Sequence, residues 1–324
     1  MSFKLFLGKT MNSTSQSILR DTFGTAFAKN FILMLLLVVL NYVNASVVTT
    51  FIKNQVFNED PRYILFIHMV INDAVQLNVT VMLFILSYIF YTINVSLCCF
   101  FILVAVFTTR NTPMYLAGMA IERYIAVCEP LRHAQICTVR RTHIFICLIW
   151  LVCVLSDITD LYILATEPIS FFHTSVFCLR TNIFKDVVLQ YKKQAFDGIY
   201  FSLVFITIVY TYLRVQFAAK AMCTRGKLSQ RARNTILLHG VQLFMCLLSY
   251  ISPSVEVVLQ LMFPGQILQM RYANYLIVYI LPRFLSPIIY GIRDKKFRKY
   301  LRRYFVIRLF CPSSQVIGPE QEQD

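Results

Sequence analysis

The chain has 324 residues, 57% of them hydrophobic and only 15% charged, with a mean hydropathy of +0.62. A soluble domain carries about a quarter charged residues, so water is excluded as the solvent for most of this polypeptide. Its 31 Lys and Arg against 16 Asp and Glu give a formal charge of +15, but no soluble basic module is present to make that charge a nucleic-acid footprint; it suits a membrane face set against anionic lipid and an acidic partner surface.

Taken in chain order, residues 1–28 read as an extracellular tail carrying one glycosylation sequon, Asn12-Ser-Thr. The first apolar run, Phe31–Phe51, begins some thirty residues in, is too long for the apolar region of a signal peptide and has no small-residue cleavage site after it, so the chain is expected to keep its N-terminus. Six more runs follow at Tyr63–Tyr88, Ser96–Met119, His143–Ile163, Gly198–Ala218, Thr235–Phe263 and Tyr272–Tyr290. Each suffices to cross a hydrocarbon layer that needs about 20 residues. The sequence thus predicts an all-α membrane protein: a bundle of seven transmembrane helices over residues 29–292, then a short membrane-surface helix and cytoplasmic tail over residues 293–324.

Orientation follows from the basic residues, because positive loops stay cytoplasmic. With the N-terminus outside, twenty Lys and Arg fall on the cytoplasmic side and nine outside, while Arg110 and Arg283 lie within spans. The expected arrangement is a multi-pass plasma-membrane protein, N-terminus extracellular and C-terminus cytoplasmic. The ten cysteines lack the spacing of a disulfide scaffold or of a zinc or haem site, and most read as buried apolar thiols. Two differ by position, Cys98 at the outer end of the third span and Cys178 in the long outer loop after the fourth. A bridge between them would pin that loop over the mouth of the bundle; two unpaired thiols are the alternative. The Asn44 and Asn78 sequons fall within spans, out of reach of glycosylation, and that of Asn94 lies close to the membrane.

No internal repeat and no matched pair of broken spans suggests an inverted-repeat transporter. A Gly-rich phosphate loop, H-E-x-x-H and G-x-S-x-G are all missing, and the histidines at 68, 133, 143, 173 and 239 are scattered, which leaves no enzyme constellation, cofactor or metal to expect. One local feature does ask for a mechanism. Where the third apolar run stops, Glu122 and Arg123 stand side by side, and two charges at the mouth of an apolar helix carry a solvation cost unless they reach water or each other.

The surrounding stretch, "MAIERYIAVCEPLRHAQICT" from Met119 to Thr138, resembles the MA-x-[DE]-RY-x-A-[IV]-C-x-PLR-[HY] signature of odorant receptors, a branch of the rhodopsin-like G-protein-coupled receptors. Cys98 lies 25 residues before Arg123 and Trp150, the only tryptophan, 27 after it, both as in that family. The segments "RYILFIHMVIND", "NTILLHG" and "LPRFLSPIIYGIRDKKFRKYL" look most like a fish-type subgroup. The resemblance implies that Glu122 restrains Arg123 at rest and that Arg123, with Tyr124 beside it, receives a G-protein α subunit on activation; a merely snorkelling helix end is the bland alternative. It also implies a small-molecule odorant, a stimulatory olfactory G protein and cyclic AMP. A receptor for an endogenous lipid or peptide and a transporter are the competing classes.

Other positions carry over one by one. Asn44 and Asp73 look like the polar residues of the first and second spans, and Ser286-Pro287-Ile-Ile-Tyr290 stands where the family has Asn-Pro-x-x-Tyr, serine replacing asparagine. In the sixth span "CLLSY" resembles Cys-Trp-x-Pro-Tyr but lacks its tryptophan and proline, and "SQRARNTILLHG" at its start offers no acid to hold Arg123. His239 reads as a packed histidine. The tail places Phe297, Tyr300, Leu301, Tyr304 and Phe305 on one helical face with bases between, an amphipathic surface helix. Cys311 just beyond is a candidate for palmitoylation, with an unmodified thiol as the alternative.

For the ligand, Val106, Thr109, Arg110 and Pro113 share one face of the third span at the depth where the family binds odorants, with Tyr250 on the sixth. Arg110 lies about 20 Å from Arg123 along the helix at 1.5 Å per residue. An intramembrane arginine is a functional-site hypothesis by default: either it binds an anionic odorant or it closes an internal ion pair. Arg283 lies one helical turn before Ser286, on the face expected to look toward Asp73. An Asp73–Arg283 ion pair in place of a sodium site is therefore expected, against the alternative that Arg283 turns to headgroups or to another acid.

Overall fold

The computed structural model describes residues 22–301, apart from 91, 179, 185–186, 222–236, 294–295 and scattered positions between 238 and 265. Five of its helices are long and apolar enough to cross a membrane. The first, α1 (Phe23–Lys53), is capped by the Thr22 hydroxyl, and stacks Phe23, Phe27 and Phe31 one turn apart on its outer face. These rings are more than half exposed. Apolar surface turned outward in this way suits lipid rather than water.

After a single 3₁₀ turn at Gln55–Phe57, α2 (Pro61–Ile89) starts with Asp60 as N-cap and Pro61 in the first turn, where the missing amide proton of proline is no loss. Two residues of strand β1 (Ile93–Asn94) precede α3 (Val95–Cys128). The Asn94 side chain caps α3 by accepting from the Ser96 amide at 2.9 Å. That role accounts for a polar residue at the Asn94 sequon. The third helix is the central one, packing on α2 and on the helices Val139–Thr166 and Val187–Ala221, and carrying Pro113 in its interior.

A short loop helix, α4 (Pro130–Ile136), leads to α5 (Val139–Thr166). The close approach of α3 and α5 needs Gly118, since a Cβ there would meet the Phe145 ring at 2.5 Å. The pair is also tied by Trp150, five residues after Phe145, whose indole N–H donates to the Tyr115 hydroxyl at 2.8 Å. The outer loop holds α6 (Ile169–Phe172), strand β2 (Ser175–Val176) and α7 (Arg180–Ile183). Strand β2 pairs antiparallel with β1, Ile93 opposite Val176. Cys98 and Cys178 form a disulfide with their Cα atoms 5.6 Å apart, so the loop is pinned over the outer end of α3 as its position in the sequence suggested.

The fifth span, α8 (Val187–Ala221), starts eleven residues before the apolar run at Gly198 because its outer turns carry charged residues with partners in the bundle. The expected sixth span, Thr235–Phe263, falls mostly outside the described residues, and so do His239 and Tyr250. The seventh consists of α9 (Ile267–Tyr275), a π-helical turn over Leu276–Ile280 and α10 (Leu281–Arg293). In the segment after the seventh span, expected to be a membrane-surface helix, Phe297 is buried against Phe57, Tyr63 and Phe66, with ring centroids 5.2–6.0 Å away. Its apolar face is thus turned partly into the bundle, onto the first inner loop, and not wholly into lipid. Tyr304, Phe305, Cys311 and Asn12 lie outside the described residues.

Candidate functional site: two buried charge clusters on the third helix

Helix α3 carries one charge cluster at about its middle and another near its inner end, and the geometry differs between them. At the inner end, Glu122 is 5% exposed and takes three basic neighbours. His133 Nε2 lies 3.0 Å from Oε1, Arg123 Nε 3.8 Å from Oε2, and Arg62 Nε 3.9 Å from Oε1. Each comes from a different place: Arg123 is the next residue, His133 projects from α4, and Arg62 stands in the first turn of α2. Arg62 is held mainly by Asp60, through bonds of 2.9 and 3.0 Å from its Nε. Burial opposes the charge of Asp60, yet the hydrogen bonds and charge of Arg62 outweigh it and hold the carboxyl below its ordinary value. Tyr124 turns the other way, its ring 6.1 Å from that of Tyr210 on α8. The acid and base singled out by the sequence therefore do meet, and His133 and Arg62, whose part in the cluster the sequence reading missed, join them. The signal for His133 was its place in the quoted "PLRH" stretch, directly after the two charges in space though eleven residues on.

Toward the outer end, Arg110 is buried between two carboxylates. Its Nη1 donates to Asp157 on α5, and its Nε donates to Asp197 on α8 at 3.1 Å. The guanidinium lies 5.4 Å from the centroid of Phe196, and the Tyr200 hydroxyl donates to the backbone carbonyl of Arg110. Lys193, one turn outward on α8, sets its Nζ 3.4 Å from Asp197 Oδ2. Farther out, Arg180 of the loop pairs with Asp160 and lies 4.9 Å above the Phe184 ring. Of the two readings of Arg110 that the sequence left open, the structure shows the internal ion pair. The reason is physical: a guanidinium within hydrocarbon is stabilised only by full pairing, and two helices supply the acids.

The predicted ligand face is divided by the fold. Val106 packs into the outer apolar cluster with Ile102 and Cys99, Thr109 accepts from the Gln76 amide of α2, and Arg110 turns to α5 and α8. Pro113 is buried within α3, and Tyr250 lies outside the described residues. Residues on one helical face therefore serve three different helix contacts.

Asp73 differs from expectation as well. Its carboxylate accepts from the Thr112 hydroxyl at 2.9 Å and from Ser286. Arg283 is buried and near enough to act on Asp73 through space, but its Nη1 donates to the carbonyls of Val278 at 3.3 Å and Tyr279 at 2.9 Å. The expected direct Asp73–Arg283 ion pair is not formed, and the alternative of Arg283 reaching headgroups does not hold either. The π turn explains this: it displaces carbonyls from the regular helical ladder, and the guanidinium of Arg283 satisfies two of them from within the same helix. Asn72 of α2 donates to the Thr108 carbonyl and the Thr112 hydroxyl beside this site. Asn44 is buried in α1; Pro287 is buried in α10, and Tyr290 belongs to the same helix.

With these contacts in place, the chain can be set against known proteins. Residues 43–290 match the family described as 7 transmembrane receptor (rhodopsin family). The chain belongs to that family. It is 30% identical to odorant receptor 131-2 of Danio rerio over 301 residues, covering 91% of each chain. It is 22% identical to human olfactory receptor 13J1 over 226 residues, 65% of this chain and 68% of that one. Human olfactory receptor 52A1 is 27% identical over 212 residues, 60% of this chain and 62% of that one. The all-α bundle and the resemblance read from Met119–Thr138 are borne out, and the protein is a membrane receptor of a family that is not enzymatic. The receptor accordingly spans the membrane several times.

Proposed function

We propose that this receptor is chemosensory, binding a small odorant within its helix bundle and activating a heterotrimeric G protein of the stimulatory olfactory type at its cytoplasmic face. The observation that carries the reading is the inner cluster on α3. Glu122 is buried and shared among three bases, two of them nearly 4 Å away, so Arg123 is held weakly enough to be released. A carboxylate surrounded by alternative cations loses little when one of them leaves, because the others keep it neutralised. Release of Arg123 exposes a guanidinium at the membrane-water boundary, where it meets an acceptor on a partner, with Tyr124 beside it.

The same reading places the receptor in the plasma membrane, N-terminus outside and glycosylated at Asn12, with residues 293–324 in the cytoplasm and Cys311 as its palmitoylation site. Asn44, Asp73, Arg283, Ser286, Pro287 and Tyr290 form the relay between the ligand and Arg123. Support for that relay is the contact of Asp73 with Thr112 on α3, which joins the second helix to the one that carries the latch. In this role Ser286 supplies the hydroxyl that stands in for the amide of asparagine.

The test is a cyclic-AMP reporter in cells expressing the full chain, screened with volatile and water-soluble odorants, together with Arg123→Ala. Surface expression of the variant is expected to stay near that of the wild type while agonist-driven cyclic AMP falls to background. Full signalling by Arg123→Ala would overturn the role assigned to the inner cluster. Ligand-dependent flux with no G protein present would replace the receptor reading with a transporter.

A further inference from the structure

The α3 face that the sequence offers to a ligand meets one side chain whose hydrogen bonding is incomplete. Gln76 of α2 is wholly buried, and its Nε2 donates to the Thr109 hydroxyl. That hydroxyl gives its own proton to the Ala105 carbonyl at 2.7 Å, so toward Gln76 it can only accept. The orientation of the amide is thereby fixed, and Oε1 is left without a hydrogen-bond donor. One turn along α2, the Thr80 hydroxyl gives its proton to the carbonyls of Gln76 and Leu77. Beside it stands the hydroxyl of Tyr275, the last residue of α9, buried and without a hydrogen bond of good geometry. Buried polar groups are normally paired. An orphaned acceptor and an orphaned hydroxyl, one helical turn apart between α2 and the seventh span, therefore point to a polar partner from outside the chain. Space leads toward them: Val106 and Thr109 are only half-buried although α3 is the central helix, and Thr109 looks toward α2.

We propose that Gln76 Oε1 and the Tyr275 hydroxyl together bind the hydroxyl of an aliphatic alcohol, which enters along the Val106–Thr109 face, and that alcohols are therefore the odorant class this receptor detects. The proposal deepens the chemosensory reading and rests on it. A hydroxyl both donates and accepts, so it answers both orphans at once, giving its proton to Oε1 and accepting from Tyr275. An ether, aldehyde or carboxylate only accepts and leaves Oε1 unpaired, whereas an ammonium only donates. The alkyl tail has apolar surface close by. Phe84 stacks on the Tyr275 ring with centroids 4.6 Å apart, and Leu77 and Val81 are buried in the same cluster. Oε1 is itself covered, and the π turn that begins directly after Tyr275 gives the seventh span the slack to admit a ligand over it. Gln76 also stands one turn along α2 from Asp73, which is bonded to Thr112 of α3, so an occupied site adjoins the proposed relay.

The experiment uses the full chain, purified in lipid nanodiscs, and two isomeric probes, 1-hexanol and methyl pentyl ether, of which only the alcohol can donate. Thermal-unfolding shifts report binding without any G protein. In the wild type 1-hexanol is expected to raise the unfolding midpoint saturably, and the ether to bind about tenfold more weakly, the factor that follows from leaving a buried acceptor unpaired. In Gln76→Leu, where that acceptor is gone, the two isomers bind alike. Tyr275→Phe keeps the ring on Phe84 and removes a donor that both isomers use, so both Kd values rise about fivefold while their ratio stays near that of the wild type; it carries the test should Gln76→Leu not fold. Equal shifts for the two isomers in the wild type, a preference for the alcohol that survives in Gln76→Leu, or unchanged Kd values in Tyr275→Phe would each overturn the alcohol site. So would the absence of a saturable rise with 1-hexanol, which would leave Gln76 to an ordered water. A receptor that binds 1-hexanol but raises no cyclic AMP in cells sinks the signalling reading alone; one that answers other odorants without binding 1-hexanol sinks the alcohol site alone.

Discussion

The middle and the inner end of α3 solve the same problem in opposite ways. The outer cluster sets one cation between two acids that come from two other helices, with its shortest contacts inside the bundle. The inner cluster sets one acid among three bases, with only His133 at hydrogen-bond distance. In the outer case every member depends on the others, because Arg110 is what makes two neighbouring carboxylates tolerable away from water. In the inner case each base is replaceable. A buried network whose members are mutually required fixes helix positions, whereas one with surplus partners permits exchange; the fixed cluster lies where α3, α5 and α8 must stay together, and the exchangeable one is where the proposed function has a G protein dock.

That contrast is broken most severely by Arg110→Met. It leaves Asp157 and Asp197 facing each other without the guanidinium that sits between them, and removing one partner of a buried charge pair costs about 3–5 kcal/mol. Surface expression is expected to collapse, and the triple variant Arg110→Met, Asp157→Asn, Asp197→Asn to recover much of it. Flow cytometry on intact cells measures both, and a triple variant no better than the single one would show that the cluster does not act as a unit.

A somewhat smaller effect is expected from Cys98→Ser, which frees the loop carrying β2 and Arg180. Loss of a native disulfide typically costs about 2–4 kcal/mol, seen here as a lower unfolding midpoint of the purified receptor. If the Arg110 cluster is the rigid one, the same substitution leaves basal cyclic AMP unchanged, since the bases on Glu122 are Arg62, Arg123 and His133, all outside that loop. A rise in basal signalling in Cys98→Ser would mean that the two clusters are coupled at rest.

The smallest change in stability, but a distinct functional one, is expected at the exchangeable end. His133→Phe removes the closest partner of Glu122 while keeping a ring of similar shape. A hydrogen bond of this kind contributes about 1 kcal/mol, and without it Glu122 has one partner fewer to fall back on when Arg123 leaves, so the population with Arg123 released is expected to shrink about fivefold. Agonist-independent cyclic AMP should fall with surface expression unchanged. An unaltered basal level would show that Arg123 and Arg62 hold Glu122 without help from His133.

How legible these regions were in the sequence differed with the range of the contacts. Glu122 and Arg123 are neighbours in the chain, so their meeting was readable, as was the position of Cys98 at the end of an apolar run and of Cys178 in the loop after the next one. The partners of Arg110 were not readable, because Asp157 and Asp197 lie 47 and 87 residues away, and neither stands out among the acids of the sequence. The expected Asp73–Arg283 contact followed from helical spacing and failed for a local reason. Spacing assumes an unbroken α-helix, and the π turn at Leu276–Ile280 offers Arg283 nearer acceptors than the carboxylate of another helix.

By itself the sequence determined the solvent and the units: apolar runs of membrane length must become helices, since within hydrocarbon each must satisfy its own backbone hydrogen bonds. It also determined the chemistry placed at the inner boundary, because the signature around Arg123 is contiguous. Only the tertiary structure decided which buried charges neutralise which. Such pairing depends on separations of 3–4 Å between side chains from different helices, and no periodicity along one helix records how another is rotated against it.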